Sequence, residues 1–206
     1  MFKEGKITVQ DESAMLVAPS LDVKEGFEVL DLCSAPGGKT THISELMNDS
    51  GVVRAFDIHE NKLSLVKANA RRLGINNITY DQMDATIFNK SLENVADAVL
   101  IDVPCSGLGI IRKKPEIKYT KQVKGIKDII RVQREIMKNA SKYVKVGGTL
   151  VYSTCTINKK ENENNINWFL KEFPQYSVEK LYYGERENIV YNDNGSVTIL
   201  PNKYMD

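Results

Sequence analysis

Along residues 28–156, short unbroken apolar runs alternate with longer stretches in which apolar residues return every three or four positions. EVLDLCSA (28–35), VVRAFDI (52–58), ITYDQMDA (78–85), ADAVLIDVP (96–104) and TLVYSTCT (149–156) read as strands. Between them, KTTHISELMN (39–48), ENKLSLVKANARRLG (60–74) and GIKDIIRVQREIMKNASKYVK (125–145) read as helices. In the second helix, Leu63, Val66, Ala70 and Leu73 share one face, and Gly74 is placed to stop it. Gly147 and Gly148 are expected to stop the third. ENNINWFLKEF (163–173) forms a further helix ended by Pro174. Buried strands alternating with helices predict a doubly wound, mostly parallel α/β sheet with helices on both faces.

Ligands in such sheets bind beyond the carboxyl ends of the strands. The unusual residues cluster there: Asp31, Cys33, Asp57, Asp84, Asp102, Cys105 and Cys155. Any one of them has an ordinary structural explanation, so their co-location is the signal. Cys155 stands out because it lies between two threonines, just before the polar stretch NKKENENN. An inert core thiol belongs among apolar neighbours.

Composition narrows the class. With 206 residues and 42% hydrophobic content, the chain can bury a core of its own. A net charge of +1 supplies no general field for a polyanion, so any nucleic-acid surface must come from local clustering. Three cysteines make no disulfide framework and point to a reducing, cytoplasmic setting. Two histidines and no CxxC pair argue against zinc. No apolar run approaches a membrane span.

CSAPGGKT (33–40), the first strand-to-helix loop, has two readings. It nearly matches the phosphate loop GxxxxGK[ST], but cysteine stands at residue 33 where that loop needs its leading glycine. A P-loop nucleotidase is therefore the weaker alternative. The other reading is a nucleoside-binding turn. Gly37 and Gly38 let backbone approach a ligand. Asp57, about 20 residues on, is placed to accept from ribose hydroxyls, and Asp84 is placed to meet an adenine amino group. Without a GxGxxG loop for a pyrophosphate, a ribose- and adenine-bearing ligand lacking phosphate fits better: S-adenosyl-L-methionine. The bland alternatives are a helix N-cap for Asp57, a turn aspartate for Asp84, and a small buried hydrophobe for Cys33. His42 and His59 are read as surface or capping residues.

DVPCSG (102–107) follows the fourth strand and carries the second tip thiol. Methylating an exocyclic amine needs no covalent step. Carbon 5 of a pyrimidine is a poor nucleophile until a thiolate adds to carbon 6, so a thiol in this position suits that chemistry. Chemistry alone does not rank Cys155 above Cys105.

In combination, VQDESAMLVAP, DLCSAPGGKT, FDIHENKL, DQMDAT, DVPCSGLGIIRKKPEIKY and LVYSTCTINKKENENNI resemble the NOL1/NOP2/Sun RNA cytosine-5 methyltransferases. These stretches run from about residue 9 to 170, and RKKPEIKY points to the bacterial subgroup acting on 16S ribosomal RNA. The resemblance implies a class I methyltransferase sheet. It implies that Cys155 is the nucleophile on carbon 6 and that Cys105 assists release of the adduct. Asp102 is implied to lie near N3 of the cytosine and near the methionine end of the cofactor. Cys33, Ser34, Ala35, Pro36, Gly37, Gly38 and Lys39 are implied to form the cofactor loop, with Asp57 on the ribose and Asp84 near the adenine.

RKKPEIKYTKQVKGIK (112–127) holds seven Lys/Arg and one acid. A charge run is usually a solvated face, but this one directly follows the PCSG motif. Arg112, Lys113, Lys114 and Lys118 are therefore the expected RNA contacts, with Tyr119 able to stack on a base. The whole chain, 1–206, is expected to be one catalytic domain, with a lead-in over 1–25. SVEKLYYG (177–184) is expected to form a sixth strand, and NIVYNDNGSVTIL a hairpin. Relatives in the family carry a further RNA-binding domain and a last strand that this chain is expected to lack. A catalytically impaired RNA-binding fragment is accordingly a third reading.

Overall fold

The computed structural model describes residues 1–120 and 123–201; for Lys118, Thr120, Val123 and Lys124 only the backbone is described. Two compact units emerge, one comprising Met1–Val103 with Glu135–Ser153, the other Pro104–Arg134 with Thr154 onward.

The first unit is built on β1 (Glu28–Asp31), β2 (Val52–Asp57), β3 (Ile78–Gln82), β4 (Ala96–Asp102) and β5 (Val144–Ser153). They form one parallel sheet in the order β3-β2-β1-β4-β5. A short helix, α1 (Glu12–Met15), precedes it, and α2 (Gly38–Leu46) and α3 (Glu60–Leu73) connect its first three strands. The strand order reverses between β1 and β4. Right-handed crossovers then put α2 and α3 on the same face of the sheet. This is the expected doubly wound α/β fold, and the reversal places its ligand crevice at the carboxyl ends of β1 and β4.

Apolar periodicity explains the elements. Leu63, Val66 and Ala70 of α3 are buried with Val29, Val53, Ala98 and Leu100 of the strands in one cluster. Burying a side chain such as Val66 or Leu100 contributes about 1.5–3 kcal/mol. Gly74 ends α3 in the left-handed region, with φ 74°, as its position in the sequence predicts.

The second unit holds α4 (Ile117–Thr120), the N-terminal part of α5 (Val123–Tyr143), α6 (Glu163–Glu172), and the antiparallel hairpin of β6 (Ile189–Tyr191) and β7 (Val197–Ile199). Phe169, Phe173 and Tyr176 pack their rings together at the end of α6, with centroids 4.8 and 5.2 Å from Phe169.

Two expectations need correction. α5 ends at Tyr143, before Gly147 and Gly148, which lie inside β5. There the pairing with β4 shifts register between Ala96 and Ala98. A Cβ at Gly148 would stand 2.7 Å from the Asp97 carbonyl oxygen, so close strand approach explains that glycine. Residues 177–184 form no strand. The hairpin does form, as a separate two-stranded sheet whose Gly195 has φ 83°. Among the described residues β5 is an edge strand, and no helix is long and apolar enough to cross a membrane.

Candidate functional site

In the first unit, three strands end on a carboxylate: Asp31 on β1, Asp57 on β2 and Asp102 on β4. Their roles separate on inspection of their partners. Asp31 is 1% exposed, accepts from Thr40 Oγ1 at 2.7 Å, and faces inward. Burial raises its pKa to about 7; the neighbouring Asp102 adds to the rise, while the Thr40 bond and Lys39 oppose it.

That raised value has a measurable consequence. Folding takes Asp31 from an ordinary value of 3.8 to about 7, so the native state binds more protons than the unfolded chain between those limits. Its contribution to stability therefore falls as pH rises from about 4 to about 7, by roughly 4 kcal/mol at most. Asp31→Asn is expected to flatten this part of a urea-denaturation pH profile and to be the more stable protein at pH 8. An asparagine amide can donate to Thr40 Oγ1, which already lies 3.4 Å from the Ser34 carbonyl and can donate there instead. An unchanged slope in the variant would count against a proton bound at Asp31.

The loop after β1 is tied to its neighbours by backbone bonds. Ser34 N donates to Phe56 O at 2.9 Å, and Ala35 N donates to Asp57 Oδ2 at 3.3 Å. Asp57 Oδ1 accepts from His59 N at 2.9 Å. Asp57 is therefore not the N-cap of α3, a position taken by His59, whose side chain makes no capping bond. Each Asp57 oxygen keeps a second lone pair for an outside donor. Gly37 has φ 104°, and a Cβ there would stand 2.8 Å from Val66 Cα; its glycine is required by packing on α3. A Cβ at Gly38 would make only ordinary contact, with Gln10 Nε2 at 3.7 Å, so packing within the protein does not require that glycine. Ser34 Oγ is buried without a hydrogen-bond partner, which marks a donor and acceptor left for a bound group. The loop's residues thus fit a neutral nucleoside.

Asp84 lies two residues past β3, and its Oδ1 accepts from Thr86 N at 2.9 Å and Thr86 Oγ1 at 2.7 Å, the geometry of a turn aspartate. Asp102 accepts from Lys39 Nζ at 2.7 Å and from Ser153 Oγ at 2.9 Å. The lysine that a phosphate loop would offer to its nucleotide is engaged by this carboxylate. Cys33 is driven toward its neutral form by burial and by Asp31, Asp102, Asp57 and Asp84 around it, so it is a poor nucleophile. His42 is not a capping residue: it lies within α2 and its Nδ1 is buried without a partner.

In the second unit, Cys105 and Cys155, 50 residues apart in sequence, bring their sulfurs to 3.2 Å. Neither lies in a strand: β4 and β5 end at Asp102 and Ser153, and both thiols follow in irregular backbone. Cys155 is exposed and Cys105 is partly covered. The hydrogen bond to Cys155 and then burial push the Cys105 pKa well above the usual thiol range. Cys105 is thereby held in its neutral form, and either sulfur can donate across the pair.

The support beneath the pair escaped sequence reading. Ser106 N and Oγ, Gln133 Nε2 and Asn158 Nδ2 all donate to Glu161, which is fully buried. Asn162 accepts from Thr154 Oγ1 at 2.7 Å and donates to Thr156 O at 2.8 Å, clasping both neighbours of Cys155. Both residues come from NKKENENN, whose composition reads as solvated chain; nothing local marks one glutamate for burial.

Arg112, Lys113 and Lys114 are exposed around a turn closed by Ile110 O. Tyr119 is 87% exposed. The side chain of Lys118 lies outside the described residues.

Comparison with known proteins completes the description. The family model described as 16S rRNA methyltransferase RsmB/F matches residues 18–206. The chain is 46% identical to a Bacillus subtilis protein named "probable ribosomal RNA small subunit methyltransferase B" over 98% of its own length and 46% of the relative's. It is 34% identical to ribosomal RNA small subunit methyltransferase F of Cronobacter sakazakii, over 97% of its length and 42% of the relative's. It thus spans about half the length of the curated relatives it matches. Among solved structures it is similar to NSun6 from Pyrococcus horikoshii with SFG, an analogue of S-adenosylmethionine, at TM-score 0.79 and 34% identity, covering 89% of this chain and 47% of that one.

Proposed function

The chain belongs to the 16S rRNA methyltransferase RsmB/F family, and from that premise we propose that it methylates carbon 5 of a cytosine in small-subunit ribosomal RNA, with S-adenosylmethionine as donor and a covalent Cys155–carbon 6 adduct as intermediate. The observation that carries this reading is the 3.2 Å pair of thiols, one exposed and one partly covered. Amino methylation has no use for two thiols in contact; covalent activation of a pyrimidine uses both.

Bound S-adenosylmethionine supplies an electrophilic methyl group. The loop 33–39 would hold it along the Gly37–Gly38 turn and through the hydroxyl of Ser34, with Asp57 on the ribose and Asp84 toward the adenine. Cys155 adds as thiolate to carbon 6 while Asp102 relays to N3 a proton from the Lys39 ammonium it accepts from, which leaves carbon 5 nucleophilic enough to take a methyl group. Once Cys155 is bonded to carbon, its charge no longer holds the proton on Cys105. Cys105 can then release its proton to solvent and, as thiolate, take the proton from carbon 5. The Cys155–carbon bond breaks, sulfur leaves as thiolate, and N3 returns its proton through Asp102 to Lys39. Both thiols end as they began.

Arg112, Lys113 and Lys114, with Lys118, take RNA phosphates, and Tyr119 offers a ring to an unstacked base. Phosphate contacts position RNA without reading its sequence. The target cytosine must leave its stack to reach two thiols and a methyl donor.

The test is RNA containing 5-fluorocytosine at the target, incubated with the protein and S-adenosylmethionine. Fluorine cannot leave as a proton does, so an adduct stable to denaturing gels is expected, and peptide mapping should place it on Cys155. An adduct mapped to Cys105, or none under conditions where both ligands bind, overturns the reading.

A further inference from the structure

We propose that Glu161 is the positioning residue that holds Cys105 against Cys155, an assignment that rests on the thiol roles proposed above. A carboxylate cut off from water costs several kcal/mol unless its lone pairs are filled. Glu161 is 0% exposed, and its filling comes from groups bracketing the thiols. Its Oε2 accepts from Ser106 N at 2.8 Å and Gln133 Nε2 at 3.1 Å. The same Gln133 nitrogen donates to Pro104 O at 2.9 Å. The residues on both sides of Cys105 are thereby pinned to one buried charge.

The link to Cys155 runs through hydroxyls, and its direction can be deduced. Ser106 Oγ lies 2.5 Å from Glu161 Oε1 and 2.8 Å from Thr156 Oγ1. A serine has one hydroxyl hydrogen, and an ionised carboxylate can only accept. Ser106 therefore donates to Glu161 and accepts from Thr156. One negative charge orients a chain of hydroxyls joining the residue after Cys105 to the residue after Cys155. A neutral amide in its place offers one acceptor oxygen where there were two and sets an N–H₂ against the Asn158 amide. The pinning then loosens at the thiols themselves.

Disulfide closure by diamide reads this directly, since two S–H bonds break, one S–S bond forms, and diamide takes up both hydrogens. The reaction needs neither RNA nor S-adenosylmethionine, so it separates failure of this proposal from failure of the methyltransferase reading. In the wild-type chain, Cys105–Cys155 closure is expected to be fast, and Glu161→Gln is expected to slow it by about tenfold or more through lost proximity. Partly buried Cys33 should keep its wild-type rate of alkylation in the variant, which a general loss of structure would not allow. A folded Glu161→Gln protein that closes its disulfide at the wild-type rate overturns the proposal. Should Glu161→Gln expose Cys33, Ser106→Ala decides, because it removes the hydroxyl link and keeps the backbone N–H: slower closure supports the positioning role, and an unchanged rate refutes it.

Discussion

A Cys105→Ala variant given unmodified RNA and S-adenosylmethionine should accumulate protein covalently bound to methylated RNA, whereas Cys155→Ala should form no adduct. In the proposed mechanism, adduct formation needs only the Cys155 sulfur, which is the exposed member of the pair. Its removal deletes the nucleophile and should lower single-turnover methyl transfer by about 10³-fold or more. Adduct breakdown needs a base at carbon 5, and Cys105 sulfur, 3.2 Å from the nucleophile, is the proposed one. Without it, the complex should persist through denaturing electrophoresis and release slowly. A trapped complex in the Cys155→Ala protein, absent from Cys105→Ala, would exchange the two roles.

Asp57→Ala should weaken S-adenosylmethionine binding by about 10- to 100-fold, measured by calorimetry with the purified protein. Two effects act together. The substitution removes the acceptor proposed for the ribose hydroxyls, and hydrogen bonds to a charged group contribute about 1.5–3 kcal/mol each. It also takes away the partner of Ala35 N at 3.3 Å and His59 N at 2.9 Å, freeing the loop after β1 that must hold the cofactor. Asp57→Asn keeps one acceptor oxygen and should fall between the two proteins. An affinity unchanged in Asp57→Ala would mean that Asp57 serves only to hold the turn.

The framework of the first unit was legible because it is written in local periodicity. Leu63, Val66 and Ala70 lie on the face of α3 that their spacing predicts, and Gly74 caps it. The strand tips also came out where the acids stand: Asp31, Asp57 and Asp102 each close a strand. Where the reading slipped, a glycine had two explanations. Gly147 and Gly148 follow a helix and suit a stop, yet the helix ends earlier; within β5, Gly147 supplies a φ of 82° and Gly148 lets the backbone of β4 approach. Gly37 suggests ligand access but answers to Val66 of α3. SVEKLYYG has the composition of a strand and forms none, for β-propensity alone supplies no partner to pair with.

Amino-acid order by itself determined the elements, the run of acids and thiols at the strand ends, and the motifs that resemble cytosine-5 methyltransferases, since each depends on residues close together in the chain. Only the tertiary structure decided which acid is buried and proton-binding, which lysine is engaged by Asp102, and that two sulfurs 50 positions apart meet. It alone set one glutamate of a polar run beneath them. Burial and long-range hydrogen bonding create these properties, and neither exists until distant segments are brought together.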